Sequence, residues 1–245
     1  MKPSGEQTEQ TEISVVVPVF NEERNLPIFI PKLIEVLDGL SMPYEVIFVD
    51  DGSSDESRRI LKEMASQHPS LRIIGLKENR GLSTALIAGI KEARANKIVT
   101  MDSDLQNDPS DVPNMLKYLG QYDMITGWRQ KREDPWLKRI SSKIANSIRN
   151  RLSNESINDT ACSLRVFERE CFQDIPKFNG MHRFLPTLVK MEGYRVIEIP
   201  VLHHPRRFGS SKYNIRNRMW RSFIDLLAVR WMKSRHIAYD IEERI

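Results

Sequence analysis

The sequence predicts an α/β protein with a mostly parallel sheet and helices on both faces. Short β-branched apolar runs alternate with helical segments between residues 13 and 126, which is typical of parallel strands joined by helices. Polar clusters directly follow three of these runs, at the position where such sheets bind ligands. Hydrophobic residues make up 40% and charged residues 29% of the chain, a globular composition that excludes a disordered or fibrous protein.

The predicted strands are short and apolar, as expected of strands that are buried on both faces. In chain order they cover residues 13–19, 44–49, 71–76, 97–101 and 122–126. Residues 157–167 are partly strand-like, and a further strand is predicted at 194–201.

The predicted helices follow from capping residues and from apolar spacing. Asn21, followed by Glu22 and Glu23, is expected to open a helix that ends near residue 37, since acidic residues in the first turn complement the helix dipole. Ser53 or Ser54 is expected to cap a helix that ends near residue 65. Further helices are predicted at 82–93, 109–119, 136–152 and 184–192, and from residue 215 onward.

Two helices of the second half are predicted to be amphipathic. Apolar residues recur every four positions from Trp136 to Leu152, opposite a basic face. From residue 215 the apolar residues lie on one helical face, flanked by arginines. This face comprises Met219, Trp220, Phe223, Ile224, Leu227 and Trp231. The pattern fits both a helix that packs on the core and one that lies in a membrane interface.

The charge of the chain is divided between its two halves. Residues 1–110 contain 12 Lys and Arg against 18 Asp and Glu, which is a net charge of −6. Because the whole chain has a net charge of +4, the remaining residues carry a net charge of +10. Most of the basic excess lies in residues 129–151 and 203–235. This division predicts that the second half meets an anionic partner: nucleic acid, a phosphate-bearing substrate or a membrane surface.

The sequence predicts a cytoplasmic protein. Two cysteines, Cys162 and Cys171, are too few for a disulfide framework and favour a reducing compartment. The first twelve residues are polar and lack the apolar core of a signal peptide. No uninterrupted apolar run approaches the roughly 20 residues that span a bilayer.

Several familiar nucleotide and catalytic motifs are missing from the sequence. No Gly-x-Gly-x-x-Gly follows the first predicted strand, which gives a dinucleotide-binding fold little support. The chain also lacks the Gly-Lys-Ser/Thr phosphate loop and the Gly-x-Ser-x-Gly nucleophile elbow. Any nucleotide must therefore be held by other residues.

The strongest local signal is the acidic cluster after the predicted strand 97–101. Asp102 ends that strand and Asp104 follows after one residue, so two carboxylates can share a divalent cation whose other positions a phosphate fills. Gln106 is a third candidate ligand. We therefore expect Mg²⁺ or Mn²⁺, which would neutralise a diphosphate leaving group. The alternative is a turn with a helix cap, because Asp, Asn, Gly and Ser also favour turns.

Four motifs of the first half together resemble the inverting family 2 glycosyltransferases, which have a Rossmann-like GT-A fold. They are VVVPVFNEE at 15–23, VDDGSSD at 49–55, NRG at 79–81 and MDSDLQ at 101–106. In the second half, NDTACSLRVF at 158–167 and HPRRFGSSKY at 204–213 resemble the polyprenyl-phosphate glycosyltransferase branch, of the dolichol-phosphate mannose synthase type. The resemblance covers residues 13–235.

The resemblance implies a role for each matching residue. The nucleotide sugar would be bound by Pro18, Phe20, Glu22, Asp51, Asp102, Ser103 and Arg165. The acceptor phosphate would be bound by Arg129, Arg139, Ser142, Arg206, Arg207, Ser211 and Lys212. The metal would be held by Asp102, Asp104 and Gln106, and the residues expected to take part in catalysis are Asp104, Asp159 and Arg129.

The implied reaction is metal-dependent, inverting transfer of a sugar from a GDP- or UDP-linked donor to a polyprenyl phosphate. Because a phosphate acceptor is already anionic, we expect Asp159 to position the sugar or stabilise charge, with little proton abstraction. We expect a flexible tail at 1–12, a catalytic domain at 13–212 and C-terminal helices at 213–245, with the enzyme peripheral at the cytoplasmic face of the membrane. No nucleic-acid partner is expected, and self-association is left open.

Two other interpretations remain. A family 2 transferase with a saccharide or protein acceptor explains the acidic strand ends, but the arginines and the RFGSSK stretch of the second half argue against it. A basic module that binds nucleic acid or membrane without catalysis explains the charge of the second half. It leaves the acidic strand ends unexplained, because carboxylates repel phosphates unless a metal intervenes.

Overall fold

The computed structural model describes residues 10–129, 157–160, 162–208, 215–237 and 243, with the backbone alone for 215–221. Its centre is a seven-stranded sheet. The strands are β1 (Ile13–Val19), β2 (Tyr44–Asp50), β3 (Leu71–Gly75), β4 (Lys97–Thr100), β5 (Met124–Trp128), β6 (Arg165–Glu168) and β7 (Val196–Pro200). The described α-helices are α1 (Leu26–Asp38), α2 (Ser57–Gln67), α3 (Leu82–Glu92), α4 (Val112–Leu116), α5 (Leu185–Met191) and α6 (Ile215–Arg235).

The sheet confirms the predicted mostly parallel architecture. Its strand order is β3-β2-β1-β4-β6-β5-β7, and β6 runs antiparallel to β4 and β5 while the other described pairs are parallel. The chain moves outward from β1 through β2 to β3 and then returns to place β4 on the other side of β1. This reversal brings the carboxyl ends of β1 and β4 together, where open α/β sheets form their binding crevice.

Apolar layers cover both faces of the sheet. On one face, Phe29 and Leu33 of α1 pack against β1 and β2 in a fully buried cluster. On the other face, a second cluster joins Ala85 and Leu86 of α3 to Phe167 of β6 and Leu188 of α5. The predicted helices on both faces are therefore confirmed.

Gly89 sets the distance between α3 and the sheet. A Cβ atom at this position would lie 2.4 Å from Val16 Cγ1 and 2.9 Å from Val49 Cγ2. Both contacts are with β-branched side chains of buried strands, which have little room to move. The glycine therefore permits α3 to approach the sheet closely.

We expect Gly89→Ala to lower the free energy of unfolding by about 1–3 kcal/mol, because the added methyl overpacks a close-packed layer. The measurement is the midpoint of urea unfolding. Gly39→Ala is the matched control, since a Cβ there would meet its nearest neighbour, Val36 O, at 3.4 Å. Equal stability of the two variants would contradict the packing argument.

The predicted start of the first helix is wrong. Helix α1 begins at Leu26, and its first turn contains no acidic residue. The residues that were expected to open the helix form a loop whose backbone donates to side chains of the loop after β2 and of Ser57, the first residue of α2. The N–H of Asn21 donates to Ser53 Oγ at 2.9 Å, and that of Glu22 to Ser57 Oγ at 2.7 Å.

The predicted cap of the second helix is also wrong. Helix α2 begins at Ser57, and its preceding residue, Glu56, makes no side-chain cap. Ser53 accepts from Asn21 instead, and the backbone N–H of Ser54 donates to Asn21 Oδ1 at 2.7 Å. Asn21 adopts a left-handed conformation with φ of 54°, which Asn tolerates better than most residues. Both of the serines predicted as caps thus take part in hydrogen bonds between the two loops.

The C-terminal helix is confirmed, but its division into one apolar and one polar face is not. Leu226 and Val229 of α6 are buried against the core. The described side chains of the predicted apolar face are exposed instead: 43% of Phe223, 50% of Ile224, 45% of Leu227 and 64% of Trp231 is accessible to solvent. No described helix is long and apolar enough to cross a membrane. The predicted helix 136–152 and the tail 1–9 lie outside the described residues.

Candidate active site

Two carboxylates lie at the carboxyl end of β4. Asp102 is half-buried and Asp104 is buried. Burial, together with the negative charge of Asp104, raises the pKa of Asp102 to about 6. Both carboxylates offer hard oxygen ligands, so these residues fit a divalent cation. No cluster of three or more Asp, Glu, His or Cys side chains suits a metal in the described part of the chain, so other groups would complete the coordination.

Arg206 reaches this acidic pair from the basic segment 202–208. Its Nη2 donates to Asp104 Oδ2 at 2.5 Å. The segment is held beside the loop after β4 by several bonds: the backbone N–H of His204 donates to Gln106 O at 2.9 Å, and His204 Nε2 lies 2.8 Å from Asp108 Oδ2. Asp108 also pairs with Lys32, and these partners hold the pKa of its carboxyl well below the usual range although burial opposes them.

A cavity of about 100 Å³ lies beside the acidic pair and is lined by Asp102, Ser163, Arg165 and His182 among others. Arg165 is 2% exposed and donates through Nη2 to two carbonyl oxygens, those of Thr160 and His182. Its Nε has no hydrogen-bond partner among the described residues. Because the guanidinium is buried and bonded to neutral groups, it favours an anionic ligand in the cavity.

Arg129 and Asp159 form an ion pair in which 15% of the Arg129 side chain and 5% of the Asp159 side chain is exposed. Arg129 Nε donates to Asp159 Oδ2 at 2.6 Å and Arg129 Nη2 donates to Asp159 Oδ1 at 2.8 Å, which is a bidentate pair. Hydrogen bonding to Asp159 raises the pKa of Arg129 although burial opposes it. The pair joins the end of β5 to the segment 157–160. No local sequence pattern relates these two parts of the chain.

Four of the residues expected at the nucleotide sugar lie at the ends of β1 and β2: Pro18, Phe20, Glu22 and Asp51. Asp51 is buried and accepts the backbone N–H groups of Arg80 and Gly81 at 2.7 and 2.8 Å, so it holds the NRG motif beside this edge. Burial raises the pKa of Asp51 despite these bonds. Ser103 Oγ donates to Pro18 O at 3.3 Å, which joins the ends of β1 and β4. Phe20 and Glu22 are half-buried in the loop that follows β1.

The sequence profile of glycosyl transferase family 2 matches residues 14–176, which cover the strands from β1 to β6 apart from Ile13, the first residue of β1. The chain belongs to glycosyl transferase family 2. The predicted enzyme class is thereby confirmed at the level of the family.

Two curated relatives of this family 2 glycosyltransferase act on lipid phosphates according to their names. The dodecaprenyl-phosphate galacturonate synthase of Rhizobium johnstonii is 35% identical over 235 residues, which are 94% of this chain and 69% of the relative. The undecaprenyl-phosphate 4-deoxy-4-formamido-L-arabinose transferase of Pectobacterium atrosepticum is 37% identical over 205 residues, which are 82% of this chain and 62% of the relative. The chain thus spans about two thirds of the length of these relatives.

Solved structures confirm the GT-A fold. A mannosyltransferase of Pyrobaculum calidifontis, in complex with GDP-Man and Mn²⁺, superposes with a TM-score of 0.64 at 21% identity and covers 96% of this chain and 67% of its own. A glucosyl-3-phosphoglycerate synthase of Mycobacterium tuberculosis, in complex with Mn²⁺, UDP and phosphoglyceric acid, gives a TM-score of 0.69 at 20% identity, covering 90% of this chain and 78% of its own.

Several predicted site residues of this glycosyltransferase lie together at one edge of the sheet, whereas others lie outside the described residues. Asp102, Asp104, Arg165 and Arg206 meet around the cavity and the acidic pair. Arg207 is exposed beside them. The predicted acceptor-phosphate residues Arg139, Ser142, Ser211 and Lys212 lie outside the described residues.

Sequence reasoning assigned no role to two residues at this edge. His182 lines the cavity, and its Nδ1 lies 2.8 Å from Ser83 Oγ. Glu198 of β7 accepts the backbone N–H groups of Asn158 and Asp159. Neither residue lies in a motif of the family. Glu198 lies in the predicted strand 194–201, but the sequence pattern did not place this strand beside residues 157–160.

Proposed function

We propose that this glycosyltransferase transfers a sugar from a GDP- or UDP-linked donor to a polyprenyl phosphate, with inversion at the anomeric carbon and with Mg²⁺ or Mn²⁺ bound. One observation carries the proposal: a basic segment lies directly on the acidic pair, through the bond from Arg206 to Asp104. Such a site brings together the groups needed for a diphosphate donor and a phosphate acceptor. The names of the two curated relatives support the same acceptor class.

On this proposal, Asp102 and Asp104 hold the divalent cation, and Gln106 lies on the same loop. A cation held there would neutralise the charge that develops on the diphosphate leaving group. Arg165 and the cavity beside Asp102 receive the donor sugar or its phosphate, for which the buried guanidinium has unused hydrogen-bonding capacity. Asp51 orders the loop at Arg80 and Gly81 that borders the nucleotide.

The acceptor phosphate needs no general base, because its oxygen is ionised at neutral pH and can attack the anomeric carbon directly. Arg206 and Arg207, together with Arg139, Ser142, Ser211 and Lys212, would hold this phosphate opposite the leaving group. Arginine suits that role since its planar guanidinium gives bidentate contacts to phosphate oxygens. The Arg129–Asp159 pair would fix the charge beside the sugar.

The exposed face of α6 supports a location at the membrane surface. Phe223, Ile224, Leu227 and Trp231 form an exposed apolar stripe, and Arg230 and Lys233 lie on the same stretch of helix. Apolar residues beside basic ones favour an interface with anionic lipids. A polyprenyl phosphate would reach the site from the same surface.

The decisive experiment incubates the full chain with radiolabelled GDP- or UDP-sugars, undecaprenyl phosphate and Mn²⁺, and then extracts the mixture with organic solvent. Label in the organic phase, released by mild acid, is the expected result. Label transferred to a soluble saccharide instead would favour a family 2 enzyme with another acceptor. Binding of the basic segment to lipid or nucleic acid without any transfer would overturn the proposal.

We expect Arg206→Ala to raise the affinity of the nucleotide-free protein for Mn²⁺ by about two- to fivefold. Arg206 forms an ion pair with Asp104 at a partly exposed site, so the metal must compete with this pair for the carboxylate. Ion pairs of this kind contribute about 0.5–1 kcal/mol. The measurement is a titration of Mn²⁺ followed by electron paramagnetic resonance. Arg207→Ala removes the same charge one residue along and serves as the control. Equal affinities of the two variants would show that the ion pair does not compete with the metal.

We also expect the double variant Ile224→Ser/Trp231→Ser to bind vesicles of phosphatidylglycerol and phosphatidylcholine about tenfold more weakly, because it removes two exposed apolar side chains. Co-sedimentation with the vesicles measures the effect. Ile28→Ser is the matched control, since Ile28 is an apolar residue of α1 that is 39% exposed. Loss of binding in the control alone would place the membrane contact on another surface.

A further inference from the structure

We propose that Glu198 is a positioning residue for the transfer reaction and that it acts through Asp159. The inference rests on the proposed function, because that function gives Asp159 its place beside the reacting sugar. Neither the family motifs nor the names of the relatives assign a role to Glu198. The hydrogen bonds of its carboxylate carry the argument.

Both oxygens of Glu198 accept bonds from the segment that carries Asp159. Oε2 accepts the backbone N–H of Asn158 at 2.7 Å and the side-chain amide of Asn158 at 3.0 Å. Oε1 accepts the backbone N–H of Asp159 at 2.8 Å. A carboxylate that accepts from two consecutive backbone N–H groups fixes the direction of that turn, since each bond is charge-assisted.

Asp159 is therefore held from two sides. Its backbone is bonded to Glu198 of β7, and its carboxylate is bonded to Arg129, which follows β5. These two strands are neighbours: Thr126 of β5 lies opposite Glu198 in the parallel register. The arrangement forms a closed path from β7 through Asp159 and Arg129 back to β5, so the sheet itself sets the place of the Asp159 carboxylate.

The bond pattern explains why a glutamate is needed at this position. Asn158 and Asp159 present three N–H donors, and an ionised carboxylate accepts all of them without offering a donor in return. In a glutamine, an NH₂ group would replace one of the two carboxylate oxygens. This donor would then face an N–H donor of residues 158–159. Residues 158–159 would then shift, and a misplacement of about 1 Å near reacting groups costs on the order of 100-fold in rate.

The test is a double-mutant cycle between Glu198 and Asp159. We expect Glu198→Gln to lower kcat at least tenfold while the KM of the nucleotide sugar changes less than about threefold, because the described hydrogen bonds of the Glu198 carboxylate go to residues 158 and 159. Adding Glu198→Gln to Asp159→Asn should cause little further loss, since a residue that acts through Asp159 has nothing left to position. Losses that multiply in the double variant, or an unchanged kcat in Glu198→Gln, would overturn the proposal.

Asp123→Asn is the matched control for a purely structural effect. Asp123 accepts the backbone N–H of Arg195 at 2.7 Å just before β7, away from the acidic pair. We expect this variant to lose stability and keep its kcat. If Glu198→Gln and Asp123→Asn lose the same stability and both keep their kcat, Glu198 has a structural role alone.

A second readout separates this inference from the proposed function. If the wild-type chain transfers no sugar, the proposed function fails, and the ¹⁵N resonance of Arg129 Nε then tests the positioning directly. The signal is assigned by its loss in Arg129→Lys. We expect it to shift in Glu198→Gln and to stay in place in Asp123→Asn. An unshifted signal in Glu198→Gln would overturn the inference without reference to activity.

Discussion

Asp102→Asn and Asp104→Asn are each expected to reduce sugar transfer at least 1,000-fold while leaving the chain folded. Each substitution removes one of the two carboxylates proposed to hold the divalent cation, and the leaving diphosphate then departs without its counter-charge. The measurement is initial transfer of labelled sugar into the organic phase at saturating Mn²⁺. Mn²⁺ affinity, measured on the same variants without nucleotide, should fall in parallel.

Glu45→Gln is the matched control for these two variants. Glu45 is also a buried carboxylate, but it lies near the start of β2 and accepts from Ser14 and Arg72. Its loss should lower the stability of the fold and leave kcat unchanged. Transfer at more than a tenth of the wild-type rate in Asp102→Asn or Asp104→Asn, with normal dependence on Mn²⁺, would place the metal elsewhere.

The same Asp102→Asn substitution should stabilise the metal-free protein. The pKa of Asp102 in the folded protein is about 6, above its ordinary value of 3.8, so the folded state binds more protons than the unfolded state between these pH values. Stability therefore falls as the pH rises from about 4 to 6, and the charge is a cost at neutral pH. We expect urea unfolding to show a gain on the order of 1 kcal/mol at pH 7.5 that disappears near pH 4.

The sheet could be predicted from the sequence because its strands are continuous apolar runs that end in polar clusters. The runs 13–19 and 44–49 are found as strands within one residue of their predicted ends. The same reasoning placed Asp51, Asp102 and Asp104 at one edge, since parallel strands end together. Helix starts failed where side chains such as Ser53 bonded a loop far away in the sequence instead of their own helix.

The contacts that make the candidate site depend on long-range geometry, which local patterns do not contain. Arg206 and Asp104 are separated by 102 positions, and Glu198 and Asp159 by 39. The motifs therefore identified Arg206 as a phosphate-binding candidate but not as the partner of Asp104. The insertion of β6 between β4 and β5 was also not predicted, although this antiparallel strand carries Arg165 to the cavity.

Asp159→Asn is expected to lower kcat about 100-fold and to leave the KM of the nucleotide sugar within about threefold of the wild-type value. The substitution breaks the bidentate pair with Arg129, so the fixed charge beside the sugar is lost. It also leaves a buried guanidinium unpaired, and we expect the free energy of unfolding to fall by about 3 kcal/mol. Kinetics are therefore measured at a temperature where the variant is shown to be folded by circular dichroism.

The pH dependence of this loss decides the role of Asp159. A phosphate monoester loses its second proton near pH 6, so its oxygen is already nucleophilic at pH 7 and no residue must remove a proton from it. The ratio of the Asp159→Asn rate to the wild-type rate should then stay constant from pH 6.5 to 8.5. Arg129→Lys is the companion variant, because it keeps the positive charge and loses the bidentate geometry, and it should show the same flat ratio. A ratio that rises tenfold per pH unit would identify Asp159 as a general base, because hydroxide would then replace the missing carboxylate.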